Sequence, residues 1–130
     1  MTEPCVLIVE ADILVRNPLA EYLRECGYRV LEAFDAAEAR QVLSGGTMPV
    51  NVVLADVDGP HESGFVLATW IRTTHPGIDV ILSGSVASAA EKAGELCLEG
   101  PALSKPYDHQ LLLDEIRRLI AARERDGSDP

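Results

Sequence analysis

The chain has 130 residues, 47% of them hydrophobic and 25% charged, a balance that fits one globular domain and excludes a mainly disordered protein. Eleven Lys and Arg against 21 Asp and Glu leave a net charge of −10, which repels phosphate backbones and anionic lipids and argues against nucleic acid or membrane as the main partner. No apolar run approaches the roughly 18 residues of a membrane span, and Met-Thr-Glu-Pro at the N-terminus has no basic leader.

Short apolar runs alternate with helical patterns. Val6-Leu7-Ile8-Val9 is a continuous run of the kind found in a strand covered on both faces. Ile13 to Cys26 follows as a helix with Asp12 as its cap and Gly27 as its stop; Pro18 falls inside it, so either this longer helix, the preferred reading, is locally irregular there or regular helix begins with Asn17 as cap and Pro18 at the first position. Tyr28 to Ala33 reads as a second strand. Asp35 to Leu43 reads as a second helix, with Asp35 and Glu38 in a capping-box pattern. After the break at Ser44-Gly45-Gly46-Thr47, Val50 to Ala55 is a third strand that delivers Asp56. Glu62 to His75 is a third helix stopped by Pro76-Gly77, with Trp70, Phe65 and Val66 at core-like spacing. Ile78 to Leu82 is a fourth strand that delivers Ser83. Ala87 to Leu98 is a helix rich in small residues, and Ala102-Leu103-Ser104 is a short fifth strand. Asp108 caps a last helix, Gln110 to Ala122, whose Leu111, Leu112, Ile116, Leu119 and Ile120 keep a 3.6-residue period. The domain is therefore expected over residues 1–122, with 123–130 as a polar tail. Helical crossovers between buried strands predict a parallel sheet with helices on both faces, and ligands at the carboxyl ends of its strands.

The three cysteines, Cys5, Cys26 and Cys97, are odd in number and form no C-x-x-C, so neither a disulfide framework nor a zinc site is expected. Cys5 and Cys26 read as small apolar groups in a reducing cytoplasm. His61, His75 and His109 share no ligand spacing and read as solvent-exposed. No glycine-rich phosphate loop is present.

The strand ends carry the chemistry. Glu10 and Asp12 follow the first strand, Asp56 and Asp58 the third, Ser83 and Ser85 the fourth, and Lys105 the fifth. Clustered carboxylates repel unless a hard cation joins them, and Mg²⁺ takes one or two carboxylates with waters and phosphate oxygens. A carboxylate beside such an ion can accept an activated phosphoryl group, while a hydroxyl and a lysine hold its oxygens.

With Val6-Leu7-Ile8-Val9-Glu10-Ala11-Asp12, Val52-Val53-Leu54-Ala55-Asp56-Val57, Ile81-Leu82-Ser83-Gly84 and Leu103-Ser104-Lys105-Pro106-Tyr107 in order, the chain resembles the receiver domain of two-component response regulators over roughly residues 4–122. The resemblance implies a doubly wound, flavodoxin-like (βα)5 fold with a five-stranded parallel sheet in the order 2-1-3-4-5. It implies Asp56 as phosphoacceptor, with Ser83 and Lys105 reading the phosphoryl group. It implies Mg²⁺ held by Glu10, Asp56 and the backbone carbonyl of Asp58. The implied partners are a histidine kinase or phosphotransfer protein and a downstream protein, reached through the fourth helix, fifth strand and last helix; a homodimer is compatible with the family. No enzyme activity of its own is implied beyond slow loss of the phosphoryl group, and the few residues after Lys105 suggest a stand-alone receiver. Two positions depart from the family pattern. Ala11 replaces the second acid of the metal-binding pair, and Ala102 replaces the aromatic that answers movement of the hydroxyl residue.

Two other readings follow from the same residues. Ala11 and Ala102 suit a phosphorylation-silent pseudo-receiver that works as a constitutive interaction module. Asp56-x-Asp58 has the spacing of a phosphoaspartate hydrolase, but the chain is short for the cap domain of such enzymes, and Glu10 would have no role.

Overall fold

The computed structural model describes residues 3–46, 48–101 and 108–127. Along them run β1 (Cys5–Val9), α1 (Ile13–Glu25), β2 (Arg29–Ala33), α2 (Ala36–Gly45), β3 (Val52–Asp56), α3 (Gly64–Thr74), β4 (Asp79–Ser83), α4 (Val86–Glu99) and α5 (His109–Gly127). β1 to β4 form a parallel sheet in the order β2-β1-β3-β4. All five β1 residues are buried because β1 lies inside the sheet with helices over both faces, which is why its sequence shows no alternation. Among the described residues the sheet has four strands, not the expected five. The fifth strand expected at Ala102-Leu103-Ser104 lies outside the described residues, as do Lys105, Pro106 and Tyr107.

Local chemistry sets the helix ends. Asp12 accepts from the Leu14 N–H at 3.0 Å, Asp35 from Glu38 at 2.9 Å and Asp108 from Gln110 at 3.0 Å. Glu38 reaches back to the Phe34 N–H, the reciprocal half of a capping arrangement. α1 continues through Pro18 and ends where Gly27, at φ 96°, lets its N–H reach Arg24 O while the Tyr28 N–H reaches Leu23 O. Ser63 and Ser85 cap α3 and α4, so α3 starts at Gly64 rather than Glu62. α5 runs to Gly127, past the expected end at Ala122 and into the stretch read as a tail. Among the described residues no helix is long and apolar enough to cross a membrane.

Two cores flank the sheet. On one face Val6, Ile8 and Leu54 meet Leu19 and Leu23 of α1, Ala90, Ala93 and Leu96 of α4, and Leu112 and Ile116 of α5. On the other, Leu7, Val9, Val53 and Ala55 meet Ala36, Ala39 and Leu43 of α2 and Leu67 and Ile71 of α3. The step from β1 to β2 and the steps from β2 to β3 and β3 to β4 run in opposite directions across the sheet. Right-handed crossovers therefore place α1 on one face and α2 and α3 on the other. The same rule applied to a fifth strand outside β4 would place α4 beside α3. Instead α4 shares the face of α1 and α5.

Three sequence expectations are corrected here. Cys26 and Cys97 form a disulfide across that face, with Cα atoms 5.3 Å apart; pairing over a separation of 71 residues leaves no mark in local spacing. Cys5 alone stays a free, buried thiol among the three. Phe65 and Val66 are exposed, because α3 buries the Leu67, Ala68 and Ile71 side instead. His75 is not solvent-facing: its ring meets the Trp70 ring edge-on, with centroids 5.3 Å apart, and its Nε2 is buried without a partner.

Candidate functional site

Glu10 begins the site. Its N–H donates to Ala33 O at 3.0 Å, extending the β1–β2 ladder by one residue and fixing where the side chain leaves the sheet. The carboxylate turns back to accept from the Asp12 N–H at 2.8 Å, and its carbonyl accepts from Arg16 Nη1 at 2.8 Å. Burial pushes the Glu10 carboxyl above its ordinary range. The Asp12 N–H opposes that shift, while the nearby charges of Asp56 and Asp12 add to it. Asp12 goes the other way, held low chiefly by its hydrogen bond to Arg123.

Asp56 closes β3 in register with Ser83 of β4, and the Val57 N–H donates to Ser83 O at 3.0 Å. Parallel pairing thus sets the Ser83 side-chain position beside the Asp56 carboxylate edge; Ser83 is 5% exposed. Asp56 Oδ1 accepts from the Asp58 N–H at 3.1 Å, which fixes the first turn of the loop after β3. That loop returns at once to α3: the Gly64 N–H donates to Val57 O at 2.9 Å, and a Cβ on Gly64 would lie 2.5 Å from Asp56 O. Only glycine fits there. Glu62, in the same loop, pairs with both terminal nitrogens of Arg40, whose guanidinium lies 5.3 Å above the Trp70 ring. The cleft between Glu10, Asp35, Asp56, Pro60 and Glu62 holds about 10 Å³, room for about one water.

Glu10, Asp56 and Ser83 are thus brought to one edge, with Asp58 exposed beside them. Lys105 lies outside the described residues. Ser85 serves as a helix cap. Ala11 supplies no carboxylate, and Asp12, the nearest substitute, is held by Arg123 at 2.8 and 3.0 Å. Among the described residues no group of three His, Cys, Asp or Glu converges to hold a metal. Two carboxylates and the Asp58 carbonyl still match the minimum that Mg²⁺ takes, with waters and a phosphate completing the shell. Arg123 and Arg16 were not foreseen as part of the site. The signal for Arg123 was present, since it lies three residues after Ile120 and so continues the helical face of Ile116, Leu119 and Ile120.

The model of the response regulator receiver domain matches residues 6–117. The chain belongs to that family. The aerobic respiration control protein ArcA of Escherichia coli strain K12 is 30% identical to this receiver over 121 residues, covering 93% of this chain and 50% of ArcA. The two-component response regulator-like APRR5 of Arabidopsis thaliana is 42% identical over 66 residues, 51% of this chain and 12% of that protein. The non-phosphorylated HemR receiver domain from Leptospira biflexa superposes with a TM-score of 0.60 at 26% identity, over 91% of this chain and 94% of that one. This receiver spans about half the length of relatives such as ArcA. Its family is that of two-component signalling, in which phosphorylation and Mg²⁺ binding at an acidic pocket are typical.

Proposed function

We propose that Asp56 accepts a phosphoryl group from a phosphohistidine of a histidine kinase or phosphotransfer protein. The observation that carries this is the register pair Asp56–Ser83 beside the half-buried Glu10. A carboxylate oxygen of Asp56 forms the new O–P bond, the P–N bond of the donor breaks, and the imidazole nitrogen keeps that electron pair and takes a proton. Ser83 donates to an oxygen of the transferred group, and Lys105 pairs with its charge. Glu10, Asp56 and the Asp58 carbonyl would hold Mg²⁺, which when bound neutralises charge on the phosphoryl oxygens. The receiver-domain match over residues 6–117 supports a signalling module over a hydrolase. As a cytoplasmic receiver it would pass the state of Asp56 on by protein contact.

Intact mass after incubation with acetyl phosphate and Mg²⁺ tests the reading. One added phosphoryl group on the wild type and none on Asp56→Asn is the expected result. Absence of an adduct under conditions that label an ordinary receiver would overturn it. That outcome would favour the phosphorylation-silent interaction module, for which Ala11 and the pairing of Asp12 with Arg123 speak.

A further inference from the structure

The loop after Asp56 carries the Asp58 carbonyl assigned above to Mg²⁺, and its Gly59, Pro60 and Glu62 line the same cleft as Glu10 and Asp56. We propose that Arg40 is a positioning residue for this site: from α2 it grips Glu62 and so holds the loop in a backbone shape that the loop would otherwise leave. The proposal rests on the Mg²⁺-assisted reading of Asp56.

The ends of the loop are pinned by hydrogen bonds to its immediate surroundings. At its start the Val57 N–H donates to Ser83 O at 3.0 Å and the Asp58 N–H to Asp56 Oδ1 at 3.1 Å. At its end the Gly64 N–H donates to Val57 O at 2.9 Å. The middle is folded against its own preference. The Glu62 N–H donates to Pro60 O at 2.8 Å, which closes a three-residue turn on His61 at φ 69°. A three-residue turn centred on a positive φ is the rare and strained kind, and the Cβ of His61 adds to its cost. Among the described residues His61 is the only one besides glycines with a positive φ. Gly59 packs so closely on the turn that a Cβ there would lie 2.8 Å from Glu62 O. Such a conformation persists only where its surroundings enforce it.

Arg40 supplies the enforcement. Both of its terminal nitrogens pair with the Glu62 carboxylate, Nη1 at 2.9 Å, and its guanidinium lies 5.3 Å from the centroid of the Trp70 ring on α3. A guanidinium fixed by a two-point pair and an aromatic face has little freedom left, so it ties Glu62 to the helices that hold it. The two side chains are 29% and 26% accessible, so solvent screens this pair less than a fully exposed one. Lysine could not replace it, because an ammonium is a point charge without the planar fork.

Amide exchange on the metal-free chain is the first measurement. Arg40 is half-buried, so Arg40→Ala should still fold. It should speed exchange at Asp58, Glu62 and Gly64 by about tenfold or more and leave the amides of β1 and β3 as slow as before. Arg40→Lys should fall between the two. His61→Gly removes the strain, so adding it to Arg40→Ala should restore part of the protection at those three amides. A Mg²⁺ titration followed by the amide shifts of Val57, Asp58 and Gly59 is the second measurement. Arg40→Ala should weaken binding by about tenfold or more, as loss of a group that orients a metal ligand does. Unchanged exchange in the loop would overturn the proposal, and so would faster exchange spread evenly over the sheet. Faster loop exchange with unchanged Mg²⁺ affinity would also overturn it, since Arg40 would then hold the loop without serving the site. If the wild type takes up no Mg²⁺, the Mg²⁺-assisted reading itself fails, and the exchange result still decides whether Arg40 holds the loop.

Discussion

The two faces of the sheet are built to different standards. On the α1/α4/α5 face, small residues of α4 let three helices approach closely, Leu112 and Ile116 are fully buried, and a disulfide and the Tyr28 hydroxyl fasten the α4 end. On the α2/α3 face, Leu67 and Ile71 are buried as fully, and Trp70, Val80 and Leu82 are partly covered as Ile81, Val86 and Ile120 are on the first; what differs is the fastening, and there the buried Nε2 of His75 has no partner. Both faces share the same strands, so the difference comes from the helices laid over them. The lesson is that one sheet can carry two well-buried cores that are fastened in different ways.

The comparison can be broken most forcefully at the disulfide. Cys97→Ser should lower unfolding free energy in oxidising buffer by about 4 kcal/mol, the chain-entropy value for closing so long a loop, and should change nothing in dithiothreitol. Urea unfolding in the two buffers measures it. Next, Leu112→Ala should cost about 2–5 kcal/mol as a cavity in the tight core, whereas Phe65→Ser should stay within about 0.5 kcal/mol. Equal costs would remove the asymmetry. Tyr28→Phe strips the buried Leu96 carbonyl of its donor and should cost about 1–3 kcal/mol, visible as a lower urea midpoint with unchanged slope.

The smallest effect is electrostatic and lies at the edge between the faces. Asp12 is held low chiefly by the Arg123 hydrogen bond, so its contribution to stability is complete above the ordinary carboxylate range and is lost as pH falls through the lowered value. Glu10 is raised chiefly by burial, so its contribution is complete below the ordinary range and is lost as pH rises through the raised value. In carboxyl NMR titrations, Arg123→Ala should move Asp12 up and leave Glu10 nearly in place. A common shift of both would show that Arg123 acts on the whole cluster.

What the sequence made legible is what local rules govern. Asp12, Asp35 and Asp108 cap as expected because an N-cap needs only a short acceptor and the next turn. Gly27 ends α1 because only the left-handed backbone closes that terminus. Glu10, Asp56 and Ser83 were readable because parallel strands deliver their last residues to one edge. Three features were not readable. The side on which α4 packs depends on the partner surface, which no local rule specifies. The disulfide joins residues far apart in the chain. Arg123 finds Asp12 only because α5 continues past Ala122.

The bond between Cys26 and Cys97 also closes a covalent ring, and the ring sorts the site by connectivity. Asp56 and Ser83 lie within it, whereas Glu10 lies on the arm before it and Lys105 on the arm after it. A protease cut between residues 27 and 96 would therefore open the ring without releasing a fragment from the oxidised chain. A gel run without reductant would show one band of full mass, and the same sample with reductant would show two, so the nick itself would report the state of the pair.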